Sequence, residues 1–271
     1  MLNLETPADR LRALVRLRGR EEGDVWQWFQ GLIYGRADGE VLRAVCGFTA
    51  VLCVRYEAAV DGVYSFVQRE SNHYTDLSTG EPVGEIRNPY TDKTNIAVGY
   101  VSPRFAFRLS AAGVASSVAP DKIVGTIARD FVSDATDIWT SESRANEYGA
   151  GISEEEFPEA YAGKVRRSAD VATYRARKAA ILDPSVAFVP SSLDFVADTP
   201  WMLWMMMGRT PGHMVWVGQG SKFATMPELP GDVKRRVEMV HPTFLADPWA
   251  IKPTAYLTAL QMRALRAAGK I

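Results

Sequence analysis

The feature that most constrains this chain runs from Asp24 to about Val101. Short runs rich in Val, Tyr, Phe, Trp and Thr are broken there by turn residues at Gly35 to Gly39, Asp61-Gly62, Thr79-Gly80 and Pro89 to Lys93. β-branched and aromatic side chains fit a pleated, half-buried surface, and Gly, Asp and Pro supply the backbone angles that reverse a chain. The pattern predicts an antiparallel meander, with a strand over Val41 to Tyr56 and its neighbour over Val63 to Tyr74. Hairpin loops are expected at Asp76 to Gly80 and at Asn88 to Asp92, the second closed by an Asx turn from the Asn side chain.

Helices are expected to flank this sheet. Leu11, Leu14 and Val15 share one stripe of a helix within residues 1–20, with Asp9 placed to cap it. Lys122 to Val132 is again rich in Ile, Val, Thr and Phe and is expected to rejoin the sheet. Ser141 to Asp183 is polar and carries Ser153 ahead of Glu154, Glu155 and Glu156 in capping-box spacing, which reads as an excursion or lid over the sheet. Trp201 to Met207 is a short apolar run, either strand or buried helix. His213 to Val217 and Lys222 to Met226, joined by Gly218-Gln219-Gly220, read as a final hairpin. Residues 232–271 then turn helical in two pieces, Asp232 to Val240 and Tyr256 to Ala268, the second capped by Thr254. The fold class expected is mainly β (α+β), one domain of 271 residues built on a curved antiparallel β-sheet or barrel with flanking helices. A chain of this length buries roughly 70 to 75% of its unfolded surface and needs no disulfide or metal to stay folded.

Charge narrows the list of partners. With 31 Lys and Arg against 32 Asp and Glu, the net charge of -1 lacks the basic excess that phosphate-backbone binding uses, so no nucleic acid partner is expected. No apolar run reaches the roughly 18 residues of a membrane span, and Met1 to Arg20 lacks the apolar core of a signal peptide, so a cytoplasmic location with no membrane partner is expected. Cys46 and Cys53, seven residues apart, fall on opposite faces of one strand and cannot pair. Dinucleotide and phosphate-loop glycine motifs are absent, as is a serine-hydrolase elbow, so no cofactor is expected. His73, His213 and His241 lie too far apart in sequence for the short spacing of a structural zinc site, so no metal is expected either.

Several phrases taken together resemble a known family. They are Arg69-Glu70, His73 to Glu81 with its Thr79-Gly80-Glu81 ending, Asn88-Pro89-Tyr90-Thr91, Trp201 to Gly208, and Gly220-Ser221-Lys222 ahead of Leu229-Pro230. In this set the chain is similar to the domain of unknown function family numbered 1838, over nearly its whole length. Ile86 stands where that family has a Trp, and Asp92-Lys93 where it has Gly-Glu. The resemblance implies a family and no established activity.

Function is therefore argued from the residues, and the segment from Tyr64 to Tyr74 is the most informative. Alternation along a strand puts Tyr64, Phe66, Gln68, Glu70, Asn72 and Tyr74 on one face and Ser65, Val67, Arg69, Ser71 and His73 on the other. If the aromatic pair points inward, Glu70 and Tyr74 follow it, and a poorly solvated carboxyl titrates closer to neutrality, where it serves as an acid or base. His73, on the other face or twisted inward at the rim, already titrates near that range. The competing reading pairs Arg69 and Glu70 with charges on adjacent strands and leaves Tyr74 bonded to the loop at Asp76.

Glu70, His73 and Tyr74 are the candidate catalytic residues. Trp139, Trp201, Trp204, Met205, Met207, His213, Trp216 and Lys222 are the candidate substrate-binding residues, since Trp and Met either line adaptable apolar pockets or fill irregular cores. Lys222 either reaches a phenolate or carboxylate or is simply solvated. The expected function is a cofactor-independent acid/base enzyme, of lyase or isomerase type, acting on a hydrophobic, aromatic small molecule. The alternative is a non-catalytic binding protein for an apolar small molecule, and a third reading is a homo-oligomeric assembly subunit that uses its C-terminal helix as the contact.

Overall fold

The computed structural model describes residues 1–97, 99–116, 119–127, 131–251 and 258–271, with backbone alone at 119–123, 127, 148, 258 and 260. Helix α1 (Pro7–Arg18) precedes three long strands, β1 (Gly23–Ala37), β2 (Arg43–Tyr56) and β3 (Tyr64–Thr75). Short strands β4 (Glu85–Arg87), β5 (Thr94–Ile96) and β6 (Tyr100–Val101) lead to β7 (Phe105–Ser110), β8 (Gly113–Ser116), β9 (Ala119–Ile127) and β10 (Val132–Ser133). The strands β11 (Asp137–Gly149) and β12 (Val165–Arg177) are again long, and helix α2 (Lys178–Leu182), β13 (Ser192–Thr199) and β14 (Gly212–Phe223) follow. Helices α3 (Gly231–Val240) and α4 (Thr258–Ala267) end the chain, and short 3-10 turns lie at Leu203–Met205 and Met226–Glu228.

Ten strands close into an antiparallel barrel. Around the wall the order is β11, β12, β13, β14, β1, β2, β3, β7, β8 and β9, and β9 returns to β11 through Glu142↔Ile127, Ser143↔Thr126 and Arg144↔Gly125. Because each of the ten barrel strands pairs with the next barrel strand along the chain, and β14 joins β1, the design is up-and-down, and closure removes most of the exposed edge that an open sheet would leave. The excursion from this meander is residues 76–104, where β4 and β5 form their own two-stranded sheet and β6 pairs only with β3.

Three sequence expectations are corrected by this topology. Ser141 to Asp183 is not a lid: β11 and β12 pair in register from Asp137↔Arg177 to Gly149↔Val165 as full barrel strands, and only residues 150–164 between them and α2 after them leave the wall. Both faces of these strands carry charged side chains, so the apolar alternation that marks a strand is missing. The expected hairpin at Gly218 to Gly220 is instead the middle of the single strand β14, paired with β1 from Trp26↔Phe223 to Ala37↔Gly212. The glycines serve close approach between these strands: a Cβ on Gly220 would lie 1.8 Å from the carbonyl oxygen of Trp28, and one on Gly31 1.9 Å from that of Val217. Thr6 rather than Asp9 caps α1, its Oγ1 accepting from the Asp9 N–H at 3.3 Å, because Pro7 begins the helix. The Thr254 cap and the start of the last helix from Tyr256 lie outside the described residues.

Two cores follow from alternation. Inside the barrel, Phe29, Ile33, Phe48, Tyr56, Phe66, Tyr74, Trp204, Met214 and Trp216 belong to one buried cluster. Outside, Trp26, Val51 and Cys53 pack against Val233 and Val237 of α3 and against Phe244. Cys46 and Cys53 thus sit in different cores, as their odd spacing requires. Each barrel end is stoppered. The Trp201 to Met207 segment fills one end, with Asn88 and Asn95 of the β4–β5 hairpin both donating to the Met205 carbonyl, at 2.8 and 3.0 Å.

Helix α1 fills the other end, and its C-terminus points into the interior. A helix leaves its last carbonyls without partners, and here each finds one. Lys222 Nζ donates to the carbonyls of Arg16, Leu17 (3.0 Å) and Gly19 (2.7 Å), Ser191 Oγ donates to Leu17 (2.8 Å), and Gln27 Nε2 donates to Arg18. Burial pushes the lysine's pKa well down, yet three carbonyl acceptors call for three N–H donors, which only the ammonium supplies. The Lys222→Met variant should keep the side-chain volume and lose about 3 kcal/mol of stability, because buried carbonyls are left without donors. A urea unfolding curve checks this, and a midpoint equal to that of the unchanged protein would remove Lys222 from the clamp.

Candidate functional site

The even-numbered residues of β3 face the interior, and halfway along them Glu70 meets a second group. β6 runs beside β3 in the register Asn72↔Tyr100, so the Tyr100 side chain enters the barrel next to Glu70. Tyr100 Oη donates to Glu70 Oε1 at 2.9 Å, and Asn72 Nδ2 donates to the same oxygen at 3.4 Å. Burial pushes the Glu70 carboxyl above its ordinary range, and the two hydrogen bonds and the charge of Arg144 pull the other way without cancelling it. The residue is half-buried, so the carboxyl meets a space that solvent can reach.

Across that space stand β11 and β12. Glu142 is tied to Arg18 of α1, whose Nε donates to Oε2 at 2.7 Å, and Arg18 Nη1 donates to Tyr56 Oη at 2.6 Å. The Arg18 guanidinium also lies over the Phe66 ring at 4.1 Å. Burial alone would raise the Glu142 carboxyl, but Arg18 and Arg144 outweigh it and hold it below the ordinary range. Arg144 Nε donates to Asp170 Oδ1 at 3.0 Å, its directly opposed neighbour on β12. Side-chain exposure separates these groups: 4% for Arg18 and 2% for Glu142, but 22% for Arg144 and 14% for Asp170. The first pair is sealed and the second faces a recess that solvent enters.

The opening follows from strand pairing. β9 pairs with β11 only as far as Arg144, so Ala145 to Gly149 have β12 as their one partner among the described residues. On the far lip, β6 pairs with β3 alone. Among the described residues, no strand pairs across the space between these two edges. Glu70 and Tyr100 stand on one lip and Arg144 on the other, with the half-buried rings of Phe105 and Phe107 beside them on β7. Helix α4 is fastened nearby, with Gln261 Nε2 donating to the Gly99 carbonyl at 3.3 Å.

The residues expected from sequence are dispersed. Of the three candidate catalytic groups, Glu70 alone faces the recess. Tyr74 points inward but lies deeper, edge-on to Trp204 with ring centroids 5.0 Å apart, and its hydroxyl has no hydrogen-bond partner among the described residues. His73 is on the outer face of β3, buried, so it cannot share a substrate with Glu70. Trp201, Trp204, Met205, Met207 and Trp216 are buried in the stopper and the core around it: Trp216 is 5.0 Å from Phe48, Trp201 5.5 Å from Tyr90, and Met207 Sδ accepts from Asn88. These contacts fill the apolar half of the barrel rather than lining a pocket there. Trp139 lies on the outer face of β11 with Arg175 over its ring at 5.3 Å, and His213 points outward, 3.9 Å from Asp198. Lys222 is the α1 clamp.

Arg18, Tyr100, Glu142, Arg144 and Asp170 were not expected from sequence. The signal that could have found three of them is the even-numbered series Thr140, Glu142, Arg144 and its counterpart Ser168, Asp170, a strand period whose inward side is polar. Two surface grooves lie elsewhere. One of about 510 Å³ runs between Asp137, Arg175, Ser191 and Glu228, and one of about 480 Å³ lies around Arg16, Glu21 and Pro184, both at the α1 end and outside the recess.

The family described as "Protein of unknown function (DUF1838)" matches residues 22–262, most of the chain. No curated protein matches it. Among solved structures, the crystal structure of Rv2717c from M. tuberculosis is similar at 12% identity with a TM-score of 0.25, over 79% of this chain and 96% of that one. No helix among the described residues is long and apolar enough to cross a membrane.

The outer face of β3 gives a prediction of its own. Burial lowers His73 to about 4, with His241 and Arg236 adding to the effect, and burial lowers His241 to about 4 as well. Ser71 Oγ meets His241 Nδ1 at 2.8 Å, and neither His73 nitrogen has a hydrogen-bond partner among the described residues. Both rings are neutral in the folded protein and take up protons near 6.5 when unfolded. Stability is therefore intact above about pH 6.5 and falls as the pH drops toward about 4, by about 2 kcal/mol per histidine between about pH 7 and pH 5. Urea midpoints at the two pH values measure the fall, which His73→Gln should roughly halve; an unchanged slope would take His73 out of the account.

Proposed function

We propose that this chain, which belongs to the DUF1838 family, is a cofactor-independent acid/base enzyme of lyase or isomerase type, acting on a small molecule with a hydrophobic, aromatic body. One observation carries the reading. Glu70 is an inward-facing carboxyl pushed above its usual range, reachable from solvent, and fixed by two donors on one oxygen, which leaves Oε2 without a hydrogen bond among the described residues. A carboxyl in that condition is divided between its two protonation states nearer neutrality than a surface glutamate, which suits it to take a proton and return it. Tyr100 and Asn72 set its direction. Phe105 and Phe107 supply the flat apolar surface on which an aromatic body would rest.

The sequence-stated roles of His73 and Tyr74 are not retained in this reading. The ring of His73 is separated from the recess by the sheet itself, and Tyr74 is packed between Trp204 and Trp216. The alternative, a non-catalytic binding protein, is favoured by the same pinning of Glu70: a carboxyl that only orients a ligand also benefits from being held. No nucleic acid or membrane partner enters either reading, and association of copies through α4 stays a separate proposal.

Glu70→Gln discriminates between the two readings, because the amide keeps the shape and hydrogen bonding but cannot exchange a proton at neutral pH. On an aromatic substrate found by turnover screening, the variant should lose at least 100-fold in kcat, with KM within about threefold. Unchanged turnover would remove Glu70 from the chemistry, and an affinity loss without any wild-type turnover would favour the binding protein.

A further inference from the structure

We infer that the recess takes a ligand bearing a single carboxylate, gripped by the terminal nitrogens of Arg144. The inference rests on the Glu70 reading for what then happens to the ligand, but not for its binding. The argument starts from how Arg144 is used. Its inner edge is spent: Nε donates to Asp170 at 3.0 Å and lies 3.7 Å from Glu142. Its outer edge, Nη1 and Nη2, makes no hydrogen bond among the described residues, and the side chain keeps 22% exposure within the recess. A guanidinium anchored through Nε and open at both terminal nitrogens presents a planar fork, and a carboxylate fits such a fork with two parallel hydrogen bonds.

Arg18 offers no rival grip, since it is 4% exposed and its Nε and Nη1 are committed to Glu142 and Tyr56. The surrounding charges select the class of anion. Glu142, Asp170 and Glu70 all lie around Arg144, and two of them are firmly paired carboxylates. A dianionic phosphate would gain one cation and meet three carboxyl groups, whereas a monoanion delocalised over two oxygens matches one fork. Position completes the case. Arg144 is the last residue of β11 that β9 covers among the described residues, its charge is felt by Glu70 on the other lip, and Phe105 and Phe107 of β7 stand opposite Gln68 and Phe66 of β3. A ligand carboxylate on Arg144 would bring the adjoining apolar carbons toward Glu70, so that the proton moved is one close to the carboxylate.

The test uses the full chain and titration calorimetry at neutral pH, with phenylacetate, its neutral amide phenylacetamide, and inorganic phosphate as probes. Phenylacetate should bind at least tenfold more tightly than phenylacetamide, and phosphate should not displace it. Arg144→Lys, which keeps the charge and the pairing with Asp170 but loses the fork, should weaken phenylacetate at least tenfold while leaving phenylacetamide unaffected. Because Arg144→Met strands Asp170 and risks the fold, the lysine variant carries the result, with its urea midpoint as the control for folding. Equal affinity for acid and amide, displacement by phosphate, or no wild-type binding at millimolar phenylacetate would each overturn the inference. Glu70→Gln separates it from the catalytic reading: phenylacetate binding retained in that variant supports the Arg144 grip even if Glu70 proves inert in turnover, and phenylacetate binding lost only in Glu70→Gln counts against it.

Discussion

The insertion of the α1 C-terminus into the barrel is the constraint from which most of the interior follows. A closed ten-strand wall encloses more space than side chains from one half of the sheet fill, and its ends must be shut by something that brings polar backbone with it. Here the helix arrives carbonyls first. Lys222, Ser191 and Gln27 meet those carbonyls, and the next side chain in line, Arg18, is carried into the core, where Glu142 and Tyr56 await it. A buried guanidinium without a carboxylate would cost several kcal/mol, so the helix, the acid on β11 and the barrel closure stand or fall together.

That dependence divides the interior into two regions. Around β13, β14, β1 and β2, aromatic rings at centroid separations of 4.9 to 6.5 Å pack the space solidly. Between β3 and β11, polar residues face one another where no strand pairing joins the two among the described residues. The same strand supplies both environments and a third outside: Tyr74 sits in the packed half, Glu70 in the polar recess, and His73 beneath the C-terminal segments on the outer face. One step along a strand turns a side chain to the other side of the sheet, and two steps advance it by about 7 Å, so three neighbouring residues serve three unrelated settings.

Alternation is also why part of this was legible beforehand. The inward set Tyr64, Phe66, Glu70 and Tyr74, the separation of Cys46 from Cys53, and the Asn88 turn, whose Oδ1 accepts from the Tyr90 N–H at 2.9 Å, all follow from local geometry. The polar strands β11 and β12 were not legible, because their inward residues answer charges from α1 and from each other, and a partner distant in sequence leaves no mark on hydrophobic pattern. Gly218 and Gly220 misled for a related reason: glycine signals a turn or a near approach of another backbone, and only the position of β1 decides which. The Trp and Met cluster left a ligand wall and a filled core both open, and packing, which composition does not report, puts Trp201 to Met207 in a stopper.

Among the described residues, the join between β9 and β11 is held by three registered pairs, as is that between β8 and β9, beside strands that run in register over a dozen. Local opening draws first on the elements with the fewest cross-links, so the two sides of β9 are where the cylinder would part before the rest of its wall loosens. Glu142 and Arg144 are themselves two of the three β11 residues paired with β9 among the described residues, so the charges that furnish the recess also rivet a thin join. Whatever settles against Arg144 would then act as a fastener for the whole cylinder, and occupancy of the interior and integrity of the wall become a single equilibrium.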